Sequence, residues 1–260
     1  MLGILLSWIP FSNLQAQAPS EKDMGAYLFV FHQDATSSLY MATSRDGYTF
    51  TALNNAQPIM KGDTLATQHG IRDPHIFRGP DGAFYLSMTD LNLSGKEMGF
   101  RNTKWERDEA EYGWGNNHGF VLMKSFDLIH WTRHIVHVDK CFPNLKVGCA
   151  WAPETTYDPE TKKIMLYFTM RLGNGKTKLY YSYTDNDFTK LETEPKLLFK
   201  YPKPEVQVLD ADISRTPDGR YCLMYVAQEQ PGGIRMAFSK HINRGYKYVD
   251  QWSDAEPGAC

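Results

Sequence analysis

The chain has 260 residues, of which 42% are hydrophobic and 22% charged, a composition that allows a sizeable buried core. The net charge of −2 at pH 7 argues against nucleic-acid binding and against a polybasic membrane-binding surface. Aromatic residues are frequent, with 6 Trp, 15 Tyr and 14 Phe. β-proteins that bind sugars share this feature, although aromatic-rich cores are the commoner cause.

The chain begins with an apolar run, residues 2–11, followed by Ala16-Gln17-Ala18, which has the small-x-small form of a cleavage site. The run is too short to span a bilayer, and no Lys or Arg precedes it. We therefore predict a signal peptide over residues 1–18 and a secreted or periplasmic protein with no membrane span. A buried N-terminal segment is the alternative.

The four cysteines are compatible with export. Cys141 and Cys149 lie eight residues apart in a loop-like stretch and could pair. Cys222, in the strand-like run RYCLMYV, is predicted to be a buried thiol. The sequence has no C-x-x-C motif and no Cys/His cluster, which argues against a structural zinc site.

Helical periodicity is scarce, and one strand-pair pattern recurs along the chain. A turn leads into an aromatic strand, and a second strand then ends in Ser or Thr, a polar residue and an aromatic. The four copies are GAYLFVFH with LYMATSRDGYTF, PDGAFYLSMT with GFVLMKSFDLIHW, PETKKIMLYFT with KLYYSYTDNDF, and PDGRYCLMYV with IRMAFSKHINRGYKY.

Repeats of this size with turn-rich links predict an all-β fold, a five-bladed β-propeller that is incomplete, with about four blades present. A β-sandwich has strands of similar length but no reason to repeat one strand-pair pattern. We predict a single propeller domain over residues 24–260. Residues 94–119 form a long polar insertion, and such loops are often functional.

The first strand of each propeller blade lines the central channel. Three acid-bearing segments precede the turn signals at similar distances: GIRDPHIF, AWAPETTYD and VLDADISRT. Side-chain alternation puts Asp73 and His75 on one face of the first segment. Asp210 and Asp212 share one face of the third.

Asp73 lies where the first of these segments enters the channel, directly before Pro74. Pro74 is predicted to hold Asp73 in an extended conformation, with its carboxylate toward a ligand. The structural alternative is that Asp73 accepts turn hydrogen bonds or pairs with Arg72.

From about residue 70 to the end, the chain resembles glycoside hydrolase family 43 in RDPHIF…DGAFYL, WAPE…KKIMLYFT and LDADI…DGRYCLMYV. The resemblance implies a five-bladed propeller that releases arabinose or xylose, less often galactose, from plant polysaccharides by inversion. It also implies that Asp73 is the general base and that Asp210 tunes the pKa of the general acid, with Asp212 as the fallback. The chemistry needs no cofactor, although some family members hold a calcium ion.

The general acid of the family, a Glu within Glu-Gly-Pro or Glu-Ala-Pro, has no match in this sequence. The nearest string is DAEPGAC, in which Glu256 precedes Pro257 and Gly258 in the wrong order. The repeat spacing puts the acid-bearing blade at or beyond Cys260. We therefore expect a C-terminally truncated fragment, inactive if the chain truly ends at Cys260.

Five further residues are predicted to bind substrate. Trp151 could stack on a sugar face, Glu154 could bond sugar hydroxyls or an Arg, and His75 could touch substrate or support Asp73. Trp114 and Asn117 could shape the pocket rim. For Trp151 and His75, a purely structural place in the core is the alternative.

Other functions remain open at this point. Fructan hydrolases also carry Arg-Asp-Pro, but they require an Asn-Asp-Pro-Asn string that is absent here. Mannoside phosphorylases would need phosphate-binding basic residues around the pocket. A non-catalytic glycan-binding propeller fits the incomplete set of acids. We expect a monomer whose partner is an oligosaccharide or polysaccharide and not a nucleic acid.

Overall fold

The computed structural model describes residues 24–100, 107–113 and 117–254, with the backbone alone at residues 250–254. The predicted signal peptide at residues 1–18 lies outside the described residues, and so do Trp114 and Glu256. The signal peptide at residues 1–18 and the contribution of Trp114 to the pocket rim stay predictions.

The described residues form fifteen strands in four antiparallel sheets. Blades 1 and 2 contain β1 Tyr27–Gln33, β2 Ser38–Ser44 and β3 Thr51–Ala52, then β4 Ile71–Arg78, β5 Phe84–Asp90, β6 Gly119–Ser125 and β7 Thr132–His137. Blades 3 and 4 contain β8 Val147–Asp158, β9 Lys163–Leu172, β10 Lys178–Tyr183 and β11 Lys196–Leu197, then β12 Val208–Arg215, β13 Tyr221–Ala227, β14 Ile234–Ser239 and β15 Lys247–Asp254.

Helical structure in the described residues is limited to short connections. The helices are α1 Gly62–Leu65, α2 Glu109–Tyr112 and α3 Val138–Cys141, with 3₁₀ turns at Asn54–Ala56 and Pro143–Leu145. None of the described helices has the length and apolar character needed to cross a membrane.

The hydrophobic core consists of three clusters, and each lies between two successive sheets. Leu39 of blade 1 clusters with Leu86 of blade 2. Phe120 of blade 2 and Phe168 of blade 3 pack with ring centroids 4.9 Å apart, and Leu223 of blade 4 belongs to the cluster with blade 3. The sheets of blades 2 and 3 each bury both faces against neighbouring sheets, which is the arrangement of propeller blades and not of a two-layer sandwich. The predicted incomplete propeller is therefore confirmed over these four blades, and the sandwich is excluded.

Blade 1 differs from the other blades because it has three strands. Ser44 at the end of β2 donates to Oδ1 of Asp46 over 2.7 Å, and Ser125 at the end of β6 donates to Oδ1 of Asp127 over 3.1 Å. This shared turn makes β2 the counterpart of β6, the third strand of blade 2. β1 is therefore a second strand, and the described residues place no strand on its channel side.

The predicted pairing of Cys141 with Cys149 was wrong, because both are free thiols. Cys141 is exposed at the end of α3, whereas Cys149 lies in β8 and is completely buried. Cys222 is buried in β13 without a disulfide, as predicted.

Candidate functional site

The three acid-bearing segments are the innermost strands β4, β8 and β12, and each has an irregularity at the same position. A β-bulge interrupts the pairing between Arg72 and His75, between Trp151 and Glu154, and between Leu209 and Asp212. The residue that follows the first member of each pair has a positive φ: 49° at Asp73, 46° at Ala152 and 48° at Asp210.

The prediction that Pro74 holds Asp73 extended was therefore wrong. Pro74 fixes its own φ and removes one ladder donor, but the bulge inserts an extra residue and turns Asp73 into the left-handed region. Asp enters this region more readily than most residues because its short polar side chain bonds locally. The alternation of side chains between the two faces of a strand is therefore interrupted at the bulge in β4.

The bulge residues are attached to the preceding blade by their backbone N–H groups. Asp73 donates to Nδ1 of His32 over 3.2 Å, Ala152 to Oγ1 of Thr89 over 2.9 Å, and Asp210 to Oγ1 of Thr169 over 2.9 Å. The acceptors occupy matching positions of β1, β5 and β9. Oγ1 of Thr89 also donates to Oδ2 of Asp73 over 2.9 Å, so one hydroxyl joins the carboxylate of blade 2 to the backbone of blade 3.

Sequence reasoning missed these side chains because they lie on second strands. A signal was present: Thr recurs at the end of YLSMT and of MLYFT, at matching places in two repeats.

Asp73 and Asp210 line one cavity of about 330 Å³, although they are 137 residues apart in sequence. The cavity is bounded by residues of blades 2, 3 and 4: Asp73, Pro74, His75, Ala152, Glu154, Asp210, Ala211 and Asp212. The structure thus brings together four of the predicted site residues and the fallback Asp212.

The pKa of Asp210 is raised to about 6. Burial is the main cause, and the negative charge of Asp73 adds to it, while the hydrogen bond from Trp151 and the charge of Arg72 oppose it. Arg72 itself pairs with Asp34 of blade 1, its Nη1 lying 2.7 Å from Oδ1.

Glu154 has a pKa raised to about 8, mainly because it is buried, with the charges of Asp212 and Asp210 adding to the effect. The hydroxyl of Tyr167 donates to Oε2 of Glu154 over 2.6 Å and accepts the N–H of Ile213 over 3.0 Å. The Glu154 carboxyl also lies within hydrogen-bonding reach of Asp212. At neutral pH, Glu154 therefore keeps its proton in a cavity that holds three other carboxyl groups.

His75 lies beside these groups, with its pKa lowered to about 4 mainly by burial, against the opposing charge of Asp212. Its Nδ1 accepts the N–H of Thr155 over 3.1 Å. The neutral ring must therefore carry its proton on Nε2.

A model of a domain related to glycoside hydrolase family 43, described as "Probable glycosyl hydrolase domain", matches residues 22–258. The chain belongs to this family. The resemblance drawn from the sequence is thereby confirmed, and the domain has a family 43-like propeller fold.

An alpha-L-arabinofuranosidase of Bifidobacterium longum subsp. longum is 28% identical over 138 residues, which are 51% of this chain and 12% of that protein. The match thus spans about one eighth of the relative's length. Among solved structures, the endo-arabinase of Bacteroides thetaiotaomicron VPI-5482 has a TM-score of 0.58 and 16% identity over 88% of this chain and 76% of that chain. A GH43_12 protein from a capybara gut metagenome has a TM-score of 0.61 and 14% identity over 88% of this chain and 40% of that chain. These identities establish likeness of fold alone.

Two predicted substrate-binding residues of this family 43-like domain, Trp151 and Asn117, make contacts within the protein and do not line the cavity. Trp151 lies half-buried and donates its indole N–H to Oδ1 of Asp210 over 3.0 Å. Asn117 is buried, 4% exposed, and its backbone carbonyl accepts the N–H of Ala150 over 2.6 Å. Asn117 does not bound the cavity shared by Asp73 and Asp210.

Proposed function

We propose that the cavity shared by Asp73 and Asp210 binds an arabinose- or xylose-containing glycan and supports inverting hydrolysis of its glycosidic bond. One observation carries the proposal: carboxyl groups from two different blades face a single cavity, and the pKa of Asp210 is raised partly by the charge of Asp73. The arabinofuranosidase relative and the endo-arabinase neighbour support arabinose, and a xylan beta-1,4-xylosidase and a beta-1,3-galactosidase have similar folds.

In this reaction, the Asp73 carboxylate takes a proton from water as the water oxygen bonds to the anomeric carbon. The bond from that carbon to the leaving oxygen breaks, and the leaving oxygen takes a proton from a general acid on the opposite side. Inversion requires about 6.5–9.5 Å between the two carboxyl groups so that water fits between them. Asp210 raises the pKa of the general acid, because a neighbouring negative charge disfavours loss of the proton from a carboxyl group.

Glu154 is proposed to bind a sugar hydroxyl. Because its pKa is about 8, it can offer an O–H donor at neutral pH, in contrast to an ionised carboxylate. A secreted or periplasmic location, proposed from residues 1–18, would bring the site to extracellular polysaccharide.

A glycan-binding propeller without turnover is the second candidate. The sequence contains neither Glu-Gly-Pro nor Glu-Ala-Pro, the motifs that carry the family's general acid. In that case the same cavity would bind the sugar and leave the bond intact.

An activated substrate separates the two candidates, because a 2,4-dinitrophenolate leaves without protonation and the general acid is then not needed. We expect turnover of the dinitrophenyl arabinofuranoside or xyloside, and a loss of about 10²–10⁴-fold in Asp73→Asn, as for removal of a general base. Asp187→Asn, an exposed Asp outside the cavity, is the matched control and should retain full activity. Normal turnover in Asp73→Asn would reject the assigned base. Oligosaccharide binding without any turnover would favour the second candidate.

A further inference from the structure

We propose that His118, His137 and Asp139 form a binding site for a divalent transition metal of the zinc class, separate from the acidic cavity. One ligand atom from each side chain lies within 4.8 Å of the other two. Two imidazole nitrogens and one carboxylate oxygen make a donor set that zinc accepts, with a fourth position left for water.

The fold brings these residues together, and their spacing in the sequence matches no zinc motif. His118 directly precedes β6, and His137 is the last residue of β7 and pairs with Gly119. Asp139 follows in α3, which begins where the N–H of Val138 donates to the carbonyl of His118 over 2.9 Å. Strand pairing and one helical turn therefore fix all three side chains on one corner of blade 2.

Gly119 provides room for the second imidazole. A Cβ at this position would lie 3.1 Å from the carbonyl oxygen of Val136 and 3.2 Å from Nδ1 of His137. The rings of His118 and His137 approach with their centroids 5.5 Å apart at 43°. A side chain at position 119 would therefore crowd the imidazole ring of His137.

The distances between the candidate ligand atoms differ from those expected around a bound zinc ion. Nδ1 of His118 and Oδ1 of Asp139 lie 2.6 Å apart, as a hydrogen-bonded pair. Two ligand atoms on a tetrahedral zinc lie about 3.3 Å apart, given bonds of about 2.0–2.1 Å. Binding therefore requires this pair to open by less than about 1 Å and the other ligand atoms, which lie within 4.8 Å of one another, to close by at most about 1.5 Å, movements within reach of side-chain rotation.

Burial and the surrounding charges both bear on a metal at this site. His118 is buried, 6% exposed, while His137 and Asp139 are partly buried. Asp90 faces His137 with a negative charge, whereas Lys140 faces it with a positive one. The positive charge of Arg107 interacts with the carboxylate of Asp139. The Arg107 guanidinium also donates hydrogen bonds to the backbone carbonyls of Val147 and Gly148 in β8.

A metal here would stabilise the structure of blade 2 beside the cavity and would take no part in the proposed hydrolysis. His118 follows Asn117, whose carbonyl accepts the N–H of Ala150, the residue before Trp151. Metal binding would link the C-terminal end of the insertion at residues 94–119 to β7 and α3, beside strand β8.

The test is zinc binding by the purified, chelator-treated protein, measured by calorimetry and by metal content after dialysis, with calcium as the comparison ion. We expect one zinc per chain, a rise in Tm with zinc, and no comparable effect of calcium. Asp139→Asn, which keeps the side-chain shape, should weaken binding by at least the about 10–100-fold that loss of an outer-shell partner costs, and His118→Ala should abolish it.

The matched control is His130→Ala, because His130 forms a similar pair with Asp127, 2.8 Å apart, at the other end of β6 and β7 and is largely exposed. It should bind zinc normally. The absence of stoichiometric zinc, or zinc binding unchanged in Asp139→Asn, overturns the proposal. Zinc binding that is lost in Cys141→Ser but retained in Asp139→Asn also overturns the proposal. Circular dichroism of each variant separates lost binding from lost fold, and none of these readouts depends on hydrolytic activity.

Discussion

Trp151 of blade 3 donates its indole N–H over 3.0 Å to Asp210 of blade 4, which lines the acidic cavity. This bond lowers the pKa of Asp210, whereas burial and the charge of Asp73 raise it. Trp151 therefore partly offsets the rise in pKa of the carboxyl group that is proposed to tune the general acid.

Replacing the indole donor should raise the pKa of Asp210 further. We expect Trp151→Phe to move this pKa above about 6, because the lost hydrogen bond favoured the charged carboxylate. Carboxyl NMR titration measures the change directly. The matched control is Trp131→Phe, since Trp131 donates to the carbonyl of Leu128 in the turn after β6 and should leave Asp210 unaffected. A pKa that stays at about 6 in Trp151→Phe contradicts the prediction.

The hydroxyl of Thr89 should stabilise the fold and the position of Asp73 together. Thr89 is fully buried, donates to Asp73 and accepts the N–H of Ala152. Thr89→Val keeps the shape but leaves that N–H unpaired, so we expect unfolding by urea to become easier by about 1–3 kcal/mol. Thr89→Ser retains the hydroxyl and should restore most of this stability. Equal stability of the Val and Ser variants would show that the bond between the blades contributes nothing.

The raised pKa of Glu154 should make stability fall with rising pH. The unfolded chain loses this proton near pH 4.5 and the folded protein near pH 8, so between these values the folded state binds more protons and is progressively destabilised. Glu154→Gln should remove this decline and gain stability over wild type as the pH rises toward 8. Each pKa unit corresponds to about 1.4 kcal/mol, so the gain should be a few kcal/mol at most.

Denaturant unfolding at pH 5 and pH 9 measures this difference. The control for Glu154→Gln is Glu194→Gln, an exposed Glu in the loop before β11, which should leave the pH dependence of wild type in place. A pH dependence in Glu154→Gln that matches wild type would exclude a protonated, buried Glu154.

His75 should stay neutral well below the usual range of histidine. Burial lowers its pKa to about 4, and the N–H of Thr155 donates to Nδ1, so the ring should carry its proton on Nε2. Nitrogen-detected NMR should show this single tautomer from pH 8 down to about pH 5. A ring that becomes doubly protonated above pH 6 would mean that the hydrogen bond to Thr155 is absent.

Much of the fold followed from local pattern. The four repeated strand pairs became β1 with β2, β5 with β6, β9 with β10, and β13 with β14. The acid-bearing segments became β4, β8 and β12, which placed Asp73 and Asp210 on strands that line one cavity. Aromatic strands and turn residues recur with the blade, and these signals are contained within a few neighbouring residues.

The sequence by itself determined the strand order, the blade repeat and the positions of the acids along the inner strands. Only the tertiary structure decided the left-handed backbone of Asp73, the bond from Trp151 to Asp210, the role of Thr89 and the free state of Cys141 and Cys149. The reason is physical: a bulge, a pKa and a hydrogen bond between blades depend on which residues from distant parts of the chain become neighbours. Side-chain periodicity along one strand holds no information about the adjacent blade.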